Sequence, residues 1–377
     1  MLNAPLAGLR VVDFGLLLPS PFVSRLLADL GADVISVHPP SGDPGYQLLP
    51  GIAPHLHRGK RAVRLDLKTP GGLDTALGIL ATADIVLEGF RPGVADRLGI
   101  GFQAVSARRP GVVYCSISGY GQSGPKRTMP AHDANIEASG GVFAGSLAVG
   151  DTPPTPYLPV ADLSASMFAA LSIVSAILGG VRSSGEPESV LLDVSMEESV
   201  MQFALPRWGR CLTDAVEPVA EDLVAYSAGA GVFATSDGRH VAIAAIETPF
   251  WSALCHGIGR ADLASAPYDT HAGRSAERAE LRTLVAEAIA GRTAAALIDE
   301  LEPLGVPITL VRTVAEVAAD EHLRARGAIL PAPEGLRVAH PVVWSGTRPA
   351  SSDTDPDHVR DLANILAELS TAPIGAT

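Results

Sequence analysis

Leu9-Arg-Val-Val-Asp-Phe14, then Phe22 through Leu30, then Gly31 and Ala32-Asp-Val-Ile-Ser-Val37 form the stretch whose reading decides the fold. The first and last pieces are short apolar runs of strand length. Between them Phe22, Leu26, Leu27 and Leu30 fall on one face of a helix, and Gly31 stops that helix. Strand, helix, strand within about thirty residues is a βαβ unit, which implies parallel pairing of its two strands. Working outward, 62–67, 84–88, 112–118 and 189–193 read as further strands. Helices are expected at 72–81, 167–182 and from about 196. The fold class is therefore α/β: a large Rossmann-like domain built on a mostly parallel sheet, with helices on both faces.

Beyond residue 210 the composition changes. Residues 211–230 read as an irregular linker, and 231–245 as a hairpin turning at Ser236-Asp-Gly-Arg239. Helices follow near 249–257, 275–290 and 293–304, then a short strand at 306–311 and a helix at 314–326. The organisation expected is a large domain over 1–210, the linker at 211–230, a smaller α+β domain at 231–312, and a C-terminal segment at 313–377 returning to the large domain.

Composition narrows the function. The chain has 377 residues, a formal charge of −13, and 28 Lys and Arg against 41 Asp and Glu. An acidic surface repels nucleic acid phosphates, so a nucleic acid partner is not expected. Three scattered cysteines show no zinc spacing, and no metal site is expected. The N-terminus has no signal-peptide pattern, and the apolar run from Met167 to Val181 is shorter than a bilayer crossing, so a cytoplasmic protein without a membrane partner is expected. The first turn, Gly15-Leu-Leu-Leu-Pro-Ser20, lacks the glycines that let a dinucleotide pyrophosphate approach, and His38 ends the second strand where an acid is needed. A nicotinamide-dependent dehydrogenase is excluded on that pattern.

Chemistry concentrates in Ala131-His-Asp-Ala-Asn-Ile136 and in Asp162, which sits within Leu158-Pro-Val-Ala-Asp-Leu163. An imidazole and a carboxylate in apolar surroundings can both be tuned toward neutrality, as a proton-shuttling site needs. The plainer alternative makes Asp162 a helix cap and His132-Asp133 loop residues that satisfy backbone groups.

Several segments together carry a resemblance: Leu6-Ala-Gly-Leu-Arg-Val-Val-Asp-Phe14, Leu27-Ala-Asp-Leu-Gly-Ala-Asp-Val-Ile35, Arg58-Gly-Lys-Arg-Ala-Val-Arg-Leu-Asp-Leu-Lys68, Glu88-Gly-Phe-Arg-Pro-Gly93, Ser118-Gly-Tyr-Gly-Gln-Ser-Gly-Pro125 and Val160-Ala-Asp162. In this order they resemble the family III CoA transferases (CaiB/BaiF), and most closely their relatives the α-methylacyl-CoA racemases. The resemblance implies an interlocked homodimer acting on acyl-CoA thioesters, with CoA as part of the substrate and no separate cofactor.

By the same resemblance Asp162 is the nucleophile of a transferase. In a racemase Asp162 and His132 are instead two bases on opposite faces of the α-carbon, with Glu247 supporting the histidine. The first expectation is therefore an isomerase inverting a 2-methylacyl-CoA thioester, and the alternative is a CoA transferase. Leu65, Asp66, Leu67, Lys68 and Arg91 are assigned to CoA binding, and Ala131, Asp133, Ala134, Asn135 and Ile136 to the substrate site. Arg58, Lys60 and Arg61 are expected to add positive charge for CoA. The N–H groups at the start of the helix after Asp162 are expected to receive the enolate oxygen. Three departures from the racemase pattern stand out: Pro39 stands just after the second strand where the racemases place a nucleotide-binding arginine, Ile136 replaces an expected tyrosine, and Ala228-Gly-Ala-Gly-Val-Phe233 lacks the racemase aromatics.

Overall fold

The computed structural model describes residues 4–148, 152–182, 188–215, 227–332, 335–349 and 358–371. The chain divides into two compact units. The first comprises 1–142, 154–204 and 321–377, and the second 143–153 and 205–320.

The first unit is built on six strands: β1 (Arg10–Asp13), β2 (Asp33–His38), β3 (Arg61–Arg64), β4 (Ile85–Glu88), β5 (Val113–Ser118) and β6 (Val190–Ser195). They lie in the order β3-β2-β1-β4-β5-β6, and every pairing is parallel. That is the doubly wound order, whose direction reverses between β1 and β4. Strand residues alternate between two cores. Val11, Val34, Ile85, Leu87 and Cys115 face the helix Pro19–Asp29 and the helix Val160–Arg182. Val12, Ile35, Val63, Val86 and Tyr114 face the helix Pro70–Leu80 and Ile365 of the C-terminal helix His358–Thr371. Both faces are apolar because both are covered, which is why these strands read as continuous apolar runs.

The helix Val160–Arg182 begins seven residues before the expected 167 and places Asp162 in its first turn. An 18-residue window within Val160–Gly180 has a mean hydropathy of 1.8, so this helix has the length and composition to cross a membrane, contrary to the shorter run read from the sequence. Its buried residues Ala161, Ala165, Ala169 and Ile173 are small or slender, and they let it lie close to the sheet. Met167, Leu171, Val174 and Leu178 form an exposed apolar stripe on the same helix.

The second unit holds an antiparallel sheet, β7 (Ala230–Ala234), β8 (His240–Ala244) and β9 (Ile308–Leu310), in the order β7-β8-β9. Trp251, Leu254, Leu281, Val285, Ile289 and Leu297 of its helices close the core on this sheet. Two helices expected to be continuous are broken here and at the domain boundary. The 275–290 helix is two helices meeting at Glu277, and 314–326 divides at Asp320, whose backbone is extended (ψ 121°). The expected linker begins within the helix Met196–Asp214, and its residues 216–226 lie outside those described.

Candidate active site

In a doubly wound sheet, ligands bind beyond the carboxyl ends of the strands at the reversal point. Two neighbouring cavities lie there. The first is lined by Leu16, Leu17, Pro19 and Ser20 after β1, by Gly89 through Pro92 after β4, and by Ile117 through Gly119 at the end of β5; Arg127, Met129, Ala131, His132, Asp162 and Met196 complete it. The second is lined by Val37 through Pro40 after β2 and by Leu65, Asp66, Leu67 and Lys68 after β3. Leu16 and Phe90 belong to both. Arg91, His132, Ala131 and Asp162 thus share one cavity, and the four residues assigned to nucleotide contact line the next.

Asp162 owes its position to two other carboxylates. The helix Val160–Arg182 starts with free N–H groups, as every helix does. Asp133 Oδ1 accepts from Ala161 N (2.9 Å) and Asp162 N (3.1 Å), and Glu137 Oε1 accepts from Val160 N (3.0 Å). Those N–H groups are already engaged, so they are not the receptors for an enolate oxygen that the sequence suggested. Burial, followed by the nearby charges of Asp133 and Glu137, raises the Asp162 carboxyl to about 7. Glu137 is 2% exposed, and burial with its hydrogen bond to Asp133 raises it to about 7 as well. Glu137 was missed in the sequence, although it lies one helical turn after Asp133 on the same face.

His132 is the residue before the helix Asp133–Ser139, in extended backbone (φ −141°, ψ 165°). Its N–H donates to Asn135 Oδ1 (2.7 Å), and Asn135 Nδ2 donates to the Tyr120 hydroxyl (3.0 Å), so Asn135 orients the histidine turn. Ala134 is exposed outside both cavities. Ile136 is fully buried in the core and offers no surface to a ligand, which corrects its assignment to the substrate site. Glu247 belongs to the second unit, where it is exposed and precedes the helix Thr248–Gly257.

Three of the expected CoA cations serve the fold instead. Arg58 is buried and paired with Asp29 (3.1 Å), and Arg61 is paired with Asp33 (2.6 Å) and Glu368 (2.8 Å). Lys60 is fully buried and donates to Pro21 O (2.8 Å) and Ser24 Oγ (2.7 Å); burial lowers it to about 8. Ser24 Oγ in turn donates to Asp13 Oδ2, while Asp13 Oδ1 accepts from Ser20 Oγ (2.6 Å) and Gly15 N (2.8 Å). This network holds the turn after β1.

Asp43 holds the same turn from the other side. Its Oδ1 accepts from Gly45 N (2.7 Å) and Leu17 N (3.2 Å), and its Oδ2 lies 3.0 Å from His57 Nε2. His38, Asp43 and His57 are all buried and bring donor atoms within 4.8 Å of one another, close enough to hold a metal ion. Both oxygens of Asp43 are already engaged, which makes the group a hydrogen-bonded clamp as it stands.

A family model described as CoA-transferase family III matches residues 6–361. A succinyl-CoA–D-citramalate CoA-transferase of Chloroflexus aurantiacus is 32% identical, over 86% of this chain and 83% of that one. An acetyl-CoA:oxalate CoA-transferase of Acetobacter aceti is 31% identical, over 91% and 90%. Among solved structures, a CAIB/BAIF family protein from Brucella suis aligns with a TM-score of 0.86 at 28% identity, covering 97% of this chain and all of that one.

Proposed function

The chain belongs to CoA-transferase family III, and from that premise we propose that it moves CoA between carboxylic acids with Asp162 as nucleophile. The observation that carries this reading is Asp162 as the one carboxylate among the residues lining the first cavity, next to a second cavity lined by Leu65 to Lys68. A carboxylate raised toward neutrality is more basic and hence more nucleophilic, yet still half ionised near pH 7. Asp162 attacks the thioester carbonyl carbon, the C–S bond breaks, and CoA leaves as thiolate from an acyl–aspartyl anhydride. The thiolate then attacks the aspartyl carbonyl, forming an aspartyl-CoA thioester and releasing the first acid. The acceptor carboxylate attacks the carbonyl of this thioester, and the C–S bond breaks to give a second anhydride and free CoA thiolate. The thiolate attacks the acceptor's carbonyl, forming the new acyl-CoA and expelling the Asp162 carboxylate.

The names of the relatives move the transferase ahead of the racemase expected from the sequence. Racemisation remains the second reading, favoured by His132 in the same cavity as Asp162. One experiment separates them. A transferase depends on an added carboxylate acceptor and leaves an aspartyl thioester that hydroxylamine traps at Asp162. A racemase needs no acceptor and washes deuterium from D₂O into the α-position of a 2-methylacyl-CoA. Exchange without acceptor dependence overturns the first reading.

Leu65 to Lys68 and Arg91 are proposed to hold CoA, Arg91 through its phosphates. The protein is proposed to act as a homodimer. The exposed stripe of Met167, Leu171, Val174 and Leu178 supports a second copy as its cover, because soluble chains seldom leave such a row uncovered. Sedimentation showing a monomer at micromolar concentration contradicts it.

A further inference from the structure

Leu17 is one of three non-glycine residues among those described with positive φ, at +68°. A leucine in that region is strained by its Cβ against the following carbonyl and persists only where the surroundings hold it. Leu17 lines the Asp162 cavity, and its neighbour Leu16 lies between the two cavities. The contact that holds it is its N–H on Asp43 Oδ1. Asp43 is itself fixed by Gly45 N and by His57, which is 1% exposed and stacks on Tyr46 (5.3 Å between centroids, 13° between planes). Neither Asp43 nor His57 lines the Asp162 cavity.

We propose that Asp43 and His57 are positioning residues that set acyl selectivity by holding Leu17 in its strained backbone against the Asp162 cavity. The inference rests on that cavity being the acyl site. With Asp43 removed, Leu17 relaxes to an ordinary φ and its side chain leaves the wall. The pocket then loses shape around the acyl group, while the nucleotide cavity keeps Leu65 to Lys68.

A double-mutant cycle tests this. Asp43→Ala, Leu17→Gly and the double variant are assayed with acetyl-CoA, succinyl-CoA and a 2-methylacyl-CoA, and free CoA affinity is measured alongside. Asp43→Ala is expected to change kcat/KM for the best thioester relative to acetyl-CoA by about fivefold, mostly in KM, with CoA affinity unaltered. In the Leu17→Gly background the same change should vanish, since no side chain remains to be misplaced. His57→Gln, which leaves Asp43 its two backbone contacts, should shift the ratio in the same direction by less, and serves if Asp43→Ala does not fold. Equal losses for every thioester, or penalties that multiply in the double variant, overturn the inference. Activity that survives Asp162→Ala overturns instead the reading of the cavity as the acyl site, and the inference with it.

Discussion

Two walls of the Asp162 cavity are built in opposite ways. The turn after β1, Gly15 to Ser20, is braced from within by buried charges, with Asp13 backed by Ser24 and Lys60 on one side and Asp43 backed by His57 on the other. A Cβ on Gly15 would stand 2.1 Å from Ser20 Cβ, so the turn has no room to spare. The loop after β5 is pinned at its start, where a Cβ on Gly119 would meet Ala131 Cβ at 2.2 Å, and then runs exposed from Ser123 to Pro130. Its ties include Gln122 N on the carboxylate of Asp193, Gln122 Nε2 on Ser116 Oγ (2.6 Å) and an exposed Lys126–Glu197 ion pair (2.7 Å). Buried, hydrogen-bonded polar groups resist deformation, whereas an exposed pair adds little. One wall is set by the interior, and the other runs over the surface.

The comparison can be broken most severely at the residue between the walls. Asp162→Ala is expected to lower kcat by about a thousandfold or more, the scale of losing a covalent nucleophile, while CoA affinity stays within a few-fold. Single-turnover kinetics with calorimetry on free CoA checks both halves.

The braced wall should fail next. Asp13→Ala leaves two serine hydroxyls and the Gly15 N–H without their common acceptor and Lys60 without its nearby counter-charge, and it should cost about 3–5 kcal/mol, measured by denaturant unfolding. A loss within 1 kcal/mol would mean that the interior does not hold this turn.

A third prediction concerns pH. The Asp162 carboxyl is raised in the fold from 3.8 to about 7, so the folded state keeps a proton that the unfolded chain has released between these values. Stability from this group therefore falls as pH rises through that window, and the full penalty is present above about 7. Asp162→Asn should stabilise the protein at pH 8 by on the order of 2 kcal/mol after allowing for solvent screening, and hardly at all near pH 4. The same ionisation should give the wild-type kcat an ascending limb near pH 7. Equal stabilisation at both pH values would remove the carboxyl as the cause.

The smallest effect belongs to the exposed wall. Lys126→Ala should change stability by less than about 1 kcal/mol, as exposed pairs do. A larger loss would show this loop to be as firmly held as its counterpart.

Much of this was legible in the sequence, for reasons that differ by region. The strands were found because parallel strands covered on both faces are apolar at consecutive positions, as Val11-Val12 and Ile85-Val86-Leu87 show. His132 and Asp162 stood out as ionisable residues in apolar stretches, and they do share a cavity. What was illegible depended on partners remote in the chain. Arg58, Lys60 and Arg61 look like a basic cluster until Asp29, Asp33 and Ser24 are seen beside them. Asp133 could be read as an orienting residue, but not as the cap of a helix starting at Val160. Gly15 to Ser20 showed three leucines and no hint of a strained backbone, because strain is a property of what surrounds a residue.

The strand order carries a consequence for how activity first arises. β1 lies between β2 and β4, and β5 pairs with β6 after some seventy intervening residues. The cavity wall after β1, the arginine after β4, and the histidine and aspartate beyond β5 therefore come from segments that meet only when these distant pairings close. Helices can form before that, but the site cannot. Catalysis is thus a late reporter of folding for this chain, and enzymatic activity in a refolding experiment should return after the helical signal has recovered.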